Sequence, residues 1–388
     1  MSKIDELIKK LCPNGVRFEE LKNKKLFKFY YGKGNRIPED IGGIYDVYGA
    51  NGIVSHINEY NCEDVTIIGH IGAVGMVNRC KKKCFVTYNG TIAEVVDKTM
   101  VNSQYLYYVL TTLNLPSYKK GSQPFLSVSD FDKIRIPVPP LEVQCEIVHI
   151  LDHFTLLSAE LSAELRARQK QYEFYRDELF KFKNYNNVEY IKLGNIAEII
   201  RGGNFQKKNF IESGFPCIHY GQIYTKYGLY ANKTYTFIAE EVAKKSKIAS
   251  PNDVVMAVTS ENIEDVCKCV AWVGNTDIAV SGHTAIIKSN INAKYLSYYF
   301  HTSMFYIQKL KLVHGTKVME VTPSSLENIL VPVVPEDKQK KIVKILDNLD
   351  KLCNGISEGL PAEIEARQKQ YEYYRDKLLT FKELKVNE

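Results

Sequence analysis

The chain has 388 residues, 45% hydrophobic and 25% charged, with a formal net charge of +6. That length holds two or three domains with cores of their own, and the composition is that of a globular protein, which excludes disordered and fibrous classes. No apolar run reaches the ~18–20 residues of a membrane span, and the positive balance allows a polyanionic partner without requiring one.

The opening, MSKIDELIKKLCPNG, lacks the apolar stretch of a signal peptide. Nine cysteines, an odd number with no CxxC pair, fit reduced thiols, so a cytoplasmic protein is expected. A zinc site on His70, Cys80 and Cys84 is rejected, since such residues are far more often ordinary core groups. A lead-in, GVRFEELK at 15–22, enters a mixed segment, 22–140, of short β-branched and aromatic runs with glycine punctuation, such as VTIIGHIGAVGMV at 65–77. Its polar, glycine-flanked residues are Tyr48, Asn51, His56, His70, Asn89, Ser122 and Gln123, groups of the kind that reach base edges. Arg79, Lys81, Lys82, Lys83, Lys119 and Lys120 are of the kind that hold phosphates, although the lysine run suits an exposed loop equally well.

The run IRIPVPP at 134–140 reads as a strand stopped by Pro137 and Pro140, with Gln144 and a long helix to follow. Through 141–182 apolar residues alternate by four and three: Ile147, Leu151, Phe154, Leu161, Leu165, Tyr172, Tyr175, Leu179 and Phe182. Only Ser158 and Arg168 fall out of this coiled-coil heptad, and a helix of about 40 residues is about 60 Å long. His149 and His153, four apart, lack a third ligand nearby and read as surface or seam residues. The helix ends on ARQKQYEFYRDEL at 167–179, which returns as ARQKQYEYYRDKL at 366–378, changed only at Phe174/Tyr373 and Glu178/Lys377. The chain is therefore a duplication.

A second lead-in, NVEYIKLG at 187–194, opens a second mixed segment, 192–335. Echoes tie it to the first: Tyr48-Gly49 with Tyr220-Gly221, Asn102 of NSQYL with Asn292 of NAKYL, and Gly121-Ser122 with Gly315-Thr316. RGGNFQKKNF at 201–210 offers Arg201, Asn204, Gln206, Lys207 and Lys208 on a glycine-rich loop suited to a groove. HYGQIY adds His219, Tyr220 and Gln222, and TSEN adds Thr259, Ser260, Glu261 and Asn262, all after apolar runs. His283, His314, Thr316 and Lys317 complete the candidates.

ILVPVVPEDKQKKIVKILD at 329–347 then repeats the junction, with Pro332 and Pro335. A seam follows on Ile342, Leu346, Leu349, Cys353, Ile356, Leu360, Ile364, Tyr371, Tyr374, Leu378 and Phe381. Four residues are inserted near Gly359-Leu360-Pro361 relative to the first copy, a heptad stutter, so a break is predicted there with Pro361 restarting the helix. Tyr172, Tyr175, Tyr371 and Tyr374 are expected in the seam, not as a platform for bases.

Two related but unequal domains on a helical spacer make a ruler with two different heads, which suits two short, unlike DNA sequences at fixed separation. A scaffold that gathers other proteins fits the organisation equally. The chain has neither the NPPY-like tetrapeptide and glycine-rich loop of an adenine methyltransferase nor a GxxxxGK[ST] phosphate loop. EDK at 336–338 has only LEV at 141–143 as its counterpart, so catalysis is expected from partners.

The ARQKQYE(F/Y)YRD(E/K)L helix ends, the IPVPP, Q, IV, ILD junction and LCPNGVR at 11–17 resemble the specificity subunit of type I restriction-modification enzymes over nearly the whole chain. The resemblance implies an α+β chain of two globular mixed α/β target-recognition domains separated by two long antiparallel coiled-coil helices, in pseudo-twofold half-repeat order. The implied divisions are 1–140, 141–184, 185–335 and 336–388. Each domain would read one half of a bipartite, asymmetric site on double-stranded DNA, and the helices would dock two modification subunits, with restriction subunits joining them. S-adenosylmethionine, ATP and magnesium are then expected on the partners and no cofactor on this chain. Arg168, Glu173, Arg176 and Asp177, with Arg367, Glu372, Arg375 and Asp376 in the second copy, are the expected partner face; a solvated helix face is the other reading. Two other classes stay open: a stand-alone DNA-binding or architectural protein dimerising through its coiled coil, and a purely structural adaptor.

Overall fold

Each proline pair does end a strand, and that strand is paired with the lead-in of its own repeat. In the computed structural model, which describes residues 3–118, 125–182, 188–355 and 359–384, Arg17–Glu20 runs antiparallel to Arg135–Val138. Glu189–Lys192 runs antiparallel to Leu330–Val333 in the same way. The helices in chain order are α1 (Lys3–Leu11), α2 (Ser103–Thr112), α3 (Leu141–Lys181), α4 (Tyr220–Thr225), α5 (Glu240–Ala243), α6 (Ala293–Tyr299), α7 (Ser303–Leu310), α8 (Pro323–Leu326), α9 (Glu336–Asn354) and α10 (Leu360–Leu379). The predicted break falls between α9 and α10, with Pro361 in the first turn of α10. Ile356 of the predicted seam lies outside the described residues. The chain divides into unit 1, residues 1–162 with 364–388, and unit 2, residues 163–363.

Unit 1 is built on a six-stranded sheet in the order Phe27–Tyr31, Gly90–Val95, Cys62–Gly69, Val77–Val86, Tyr45–Gly49, Gly52–Ile57. α2 packs on this sheet, and Tyr105, Leu106 and Leu110 share a core with Phe27, Ile68 and Val95 of the strands. Ile147 and Leu151 of α3 and Leu378 and Leu379 of α10 close the same core. Phe154 and Tyr374 stack at 5.6 Å. Arg135, just ahead of α3, pairs with Glu383, just past α10, at 2.5 Å, so the two helices run antiparallel.

Unit 2 has two five-stranded sheets. One is ordered Ala197–Arg201, Thr284–Ser289, Val254–Ala257, Cys269–Trp272, Tyr230–Ala231, and the other Phe210–Ile211, Thr236–Ile238, Phe215–Ile218, Ile278–Val280, Lys247–Ala249. The second half of α3 lies along α9, with Tyr172 and Phe180 in one core with Ile342, Leu346 and Cys353. Lys338, in the first turn of α9, sits over the Phe182 ring at 5.1 Å, so this pair is antiparallel too. The heptad reading fails at Tyr175, which is 44% exposed, while Phe180 is fully buried against Tyr295 and Tyr299 of α6 at 4.9 and 5.5 Å. Here α3 must cover α6 as well as α9, so its buried stripe follows the wider 3.6-residue period of a globular core.

The glutamine after each proline pair stitches helix to domain. Gln144 accepts from the Asn102 amide at 2.8 Å and donates to the carbonyls of Met100 and Pro139 at 2.8 and 2.7 Å. Gln339 repeats this with the Asn292 amide at 2.9 Å and the Val334 carbonyl at 2.8 Å. Asn102 and Asn292 in turn cap α2 and α6 by accepting from their first-turn amides, as Asn does best. Tyr105 and Tyr295 donate to the carbonyls of Pro137 and Pro332 at 3.0 and 2.9 Å. Tyr108 and Tyr298 donate to Asp152 and Asp347, the aspartates of the repeated ILD. The repeat thus encodes one clamp, written twice.

Candidate nucleic-acid interface

The two units share a backbone frame at one end of the sheet. In unit 1 the chain leaves the Phe27–Tyr31 strand through Gly32, whose amide donates to Gly90 O at 2.9 Å, followed by Lys33 to Val86 O at 2.9 Å. In unit 2 it leaves the Ala197–Arg201 strand through Gly202, which donates to Thr284 O at 2.9 Å, followed by Gly203 to Val280 O at 2.8 Å. A Cβ on Gly32 would stand 2.1 Å from Thr87 O and one on Gly202 2.0 Å from Ser281 O, so the crossing needs glycine in both. The frame continues with His70 N to Asn89 O at 3.1 Å, matched by Val258 N to His283 O at 3.0 Å. Leu126 N to His70 O at 3.0 Å is matched by Val321 N to Val258 O at 2.9 Å. Ile71 bridges Phe125 where Thr259 pairs Glu320.

Side chains on equivalent positions differ in kind: Tyr31 and Arg201, Tyr88 and Gly282, Asn89 and His283, Ile71 and Thr259, Phe125 and Glu320. Unit 1 presents exposed aromatic and aliphatic groups, with Tyr31 46% and Phe125 41% exposed. Unit 2 presents charge. Sequence reasoning missed Tyr31, Lys33, Ile71, Tyr88 and Phe125, although YYGKG at 30–34 carried the same strand-glycine signal as IIRGG at 199–203. The Tyr48-Gly49 echo of Tyr220-Gly221 is out of register, because Tyr48 and Ile218 hold the same ladder place: Thr87 N donates to Tyr48 O and Ser281 N to Ile218 O.

Of the unit 1 candidates, His70 and Asn89 meet in the frame; His70 lies 4.7 Å from the Tyr31 ring, and His70 Nδ1 and Asn89 Oδ1 are buried with no hydrogen-bond partner among the described residues. Burial disfavours the charged ring of His70 and pushes its pKa down. Asn51 is exposed in the turn before the Gly52–Ile57 strand. His56 is held between Asp40 and Asp46 at 3.2 and 3.6 Å. Tyr48 is buried at 9% exposure, a core group and not a reader. Arg79 is a second correction: its guanidinium is taken up by Asp64, Gln104 and the carbonyls of Val65 and Cys80. The lysines form no loop but belong to the Val77–Val86 strand, where Lys81 meets Asp152 at 3.3 Å, Lys83 lies over Tyr60 at 4.5 Å and Lys82 is exposed. Ser122 and Gln123, with Lys119, Lys120 and Gly121, lie outside the described residues.

In unit 2 the candidates converge. The rings of His219 and Tyr220 lie 4.6 Å apart and those of Tyr220 and His283 4.9 Å apart, each pair tilted, and the Tyr220 amide donates to Ser281 Oγ at 2.8 Å. Asn204, Gln206, Lys207 and Lys208 are exposed after the glycine crossing. Ser260, Glu261 and Asn262 follow the buried Thr259, and the turn beyond them is braced by buried Lys309, another residue the sequence did not disclose, which donates to Ile263, Glu264 and Val266 carbonyls at 2.8, 3.1 and 2.9 Å. His314 bridges Glu320, and Thr316 and Lys317 are exposed in the intervening turn. Gln222 is buried, accepting from the His219 amide at 3.0 Å, and shapes the site without reaching out of it.

His219 caps α4 through Nδ1, which accepts from the Gly221 amide at 3.2 Å. Burial, then Lys207 and His283, push its pKa down to about 4 from the ordinary 6.5. Because the folded pKa is the lower one, the contribution to stability is whole above pH 6.5 and is lost as the pH falls towards 4. The expected loss between pH 7 and 5 is about 2 kcal/mol. His219→Asn keeps a capping acceptor without a titration, and urea midpoints at the two pH values should show the wild type losing more; equal slopes would refute this.

On the helices, Arg168, Glu173, Glu372 and Asp376 are exposed. Arg176 and Asp177 are not free for a partner: their side chains are 15% and 19% exposed, and Asp177 accepts from the amide and hydroxyl of Ser303 at the start of α7. In the second copy Arg375 is 23% and Asp376 63% exposed, and Arg367 is half-buried. Among the described residues no helix is long and apolar enough to cross a membrane.

Residues 3–168 and 185–366 both match the type I restriction modification DNA specificity domain. The type I restriction enzyme EcoR124I/EcoR124II specificity subunit of Escherichia coli is 35% identical over 298 residues, 74% of this chain and 72% of that one. A chain of Haemophilus influenzae named as a type I restriction enzyme specificity subunit is 29% identical over 88% of this chain and 89% of its own. The fold matches the crystal structure of the type I restriction-modification S subunit from M. genitalium, with a TM-score of 0.55 and 16% identity over 94% of this chain and 96% of that one. A second solved chain, from work on complex assembly in the type I system, gives a TM-score of 0.59 at 15% identity over 91% and 97%. With both halves matched and the clamp repeated in each, the chain belongs to the type I restriction-modification specificity subunits, the non-catalytic recognition component of those systems.

Proposed function

We propose that unit 1 and unit 2 each read one half of a bipartite, asymmetric site on double-stranded DNA. The observation that carries this is the shared frame with unlike side chains at equivalent positions, because base readout resides in side chains while the backbone sets where they stand. The chain itself binds no cofactor in this reading. S-adenosylmethionine, ATP and magnesium belong to modification and restriction subunits in the cytoplasm, and the adenine to be methylated is flipped into a modification subunit. Two modification subunits dock on the repeated helix faces, where Phe174 and its counterpart Tyr373 are 59% and 62% exposed beside Glu173 and Glu372. Large exposed aromatics at matching places suit two copies of one partner.

Replacing residues 22–140 with the equivalent segment of a relative, in cells that also express the modification subunit, tests the reading. Mapping of methylated adenines is expected to show one half of the site altered and the other half retained. Alteration of both halves would contradict independent heads, and methylation without this chain would remove its recognition role.

A further inference from the structure

We infer that Arg201 reads a guanine in the half-site taken by unit 2, and that Glu320 is the positioning residue that aims it; the inference rests on the DNA-reading role proposed above. Arg201 closes the Ala197–Arg201 strand immediately before the glycine crossing. One edge of its guanidinium is already held: Nε donates to the Gly282 carbonyl at 3.4 Å and Nη2 to Glu320 Oε1 at 3.1 Å. In the planar fork these two donors point to one side, which leaves the end edge, Nη1 with the second Nη2 hydrogen, for a ligand. The side chain is 50% exposed, so that edge is reachable.

Two parallel N–H donors meet two kinds of acceptor pair in DNA, the phosphate oxygens and the N7 and O6 of guanine in the major groove. The Glu320 carboxylate decides between them, because a negative charge already bonded to the guanidinium repels a phosphate and leaves a neutral base edge unopposed. Exposed Lys207, Lys208 and Lys317 carry the charge that phosphates require. Both tethers also fix the side chain before binding, which lowers the ordering cost of the contact. Unit 1 has Tyr31 and Phe125 at the matching places, so this means of reading belongs to one half-site only.

The test uses the full chain assembled with its modification subunit and a set of duplexes carrying each base pair in turn across the half-site that the 22–140 replacement leaves unchanged. The wild type is expected to require guanine at one position there. Arg201→Ala and Arg201→Lys are both expected to lower that preference about 5- to 150-fold while preferences at the other positions of the same half-site persist, which also shows that unit 2 folds in the variants. Glu320→Gln is expected to erode the guanine preference without weakening duplexes that lack the guanine, whereas a merely structural role would weaken all alike. The inference is overturned if the half-site has no guanine, or if Arg201→Ala weakens every duplex equally and reduces the salt slope by about one, the mark of a phosphate contact. Absence of any sequence preference in the wild-type complex would instead overturn the proposed function.

Discussion

Gln144→Leu is expected to cost unit 1 about 3 kcal/mol, seen as a fall of about 6–12 °C in the Tm of the transition that carries it. The side chain is fully buried and makes three hydrogen bonds, to the Asn102 amide and the carbonyls of Met100 and Pro139. Leucine fills most of the volume but leaves one donor and two acceptors unpaired, and each unpaired buried group costs about 1–3 kcal/mol. Relaxation and entry of water at the partly exposed bonds bring the sum towards the lower end. Loss of the bond to Asn102 also loosens the cap that starts α2, so amide exchange should quicken at Gln104 and Tyr105, whose N–H groups the Asn102 side chain accepts. Exchange around Asn292 should hold, since Gln339 still clamps unit 2. Equal loss of protection at both asparagines would contradict two local clamps.

The residues of this clamp stood out in the repeat, but not the bonds between them. Asn102 and Asn292 stood out only as an echo between the two segments, although the caps they form are local, a side chain meeting amides two or three residues on. The break at Gly359 to Pro361 was legible because its signal is local. Gln144 stood out in the repeated junction, but its partner lies 42 residues back, and one sequence does not state a pairing at that separation. Arg79 was grouped with Lys81, Lys82 and Lys83 because they stand close in the chain, whereas its neighbours in space are Asp64 and Gln104. Arg176 and Asp177 were read as part of the partner face since nothing in a helical wheel reveals that Ser303 of α7 arrives there. The echo of Tyr48 with Tyr220 misled because it matched residue types, while the ladder matches backbone positions and sets Tyr48 against Ile218. Candidate readers were legible where glycine marks a close crossing, as at Arg201, and missed where the exposed groups are apolar, as at Tyr31 and Phe125.

Phe180→Ala is expected to destabilise unit 2 by about 3–5 kcal/mol, whereas Tyr175→Ala should change stability by no more than about 0.5 kcal/mol. A strict heptad predicts the reverse, since it places Tyr175 in the seam and Phe180 beside it. The Phe180 ring is fully buried, 4.9 Å from Tyr295, 5.5 Å from Tyr299 and 6.4 Å from Phe182, so truncation opens a cavity whose two tyrosine rings are held by hydrogen bonds and resist collapse inward. Tyr295 is tied to the Pro332 carbonyl and Tyr299 to the Leu330 carbonyl, both in the strand ahead of α9. Any movement of those rings to fill the space would therefore pull on the strand that sets the start of α9, and the cost should lie towards the upper end of the range. Tyr175 is 44% exposed, with its ring edge-on to Phe174 at 5.5 Å, and its loss removes little buried area. The two variants also separate stability from docking: Tyr175→Ala, like Phe174→Ala, should leave the Tm in place and weaken capture of a modification subunit in a pull-down of the assembled complex. If Tyr175→Ala lowers the Tm as much as Phe180→Ala, the buried stripe of α3 follows the heptad after all and the exposed aromatic face loses its basis.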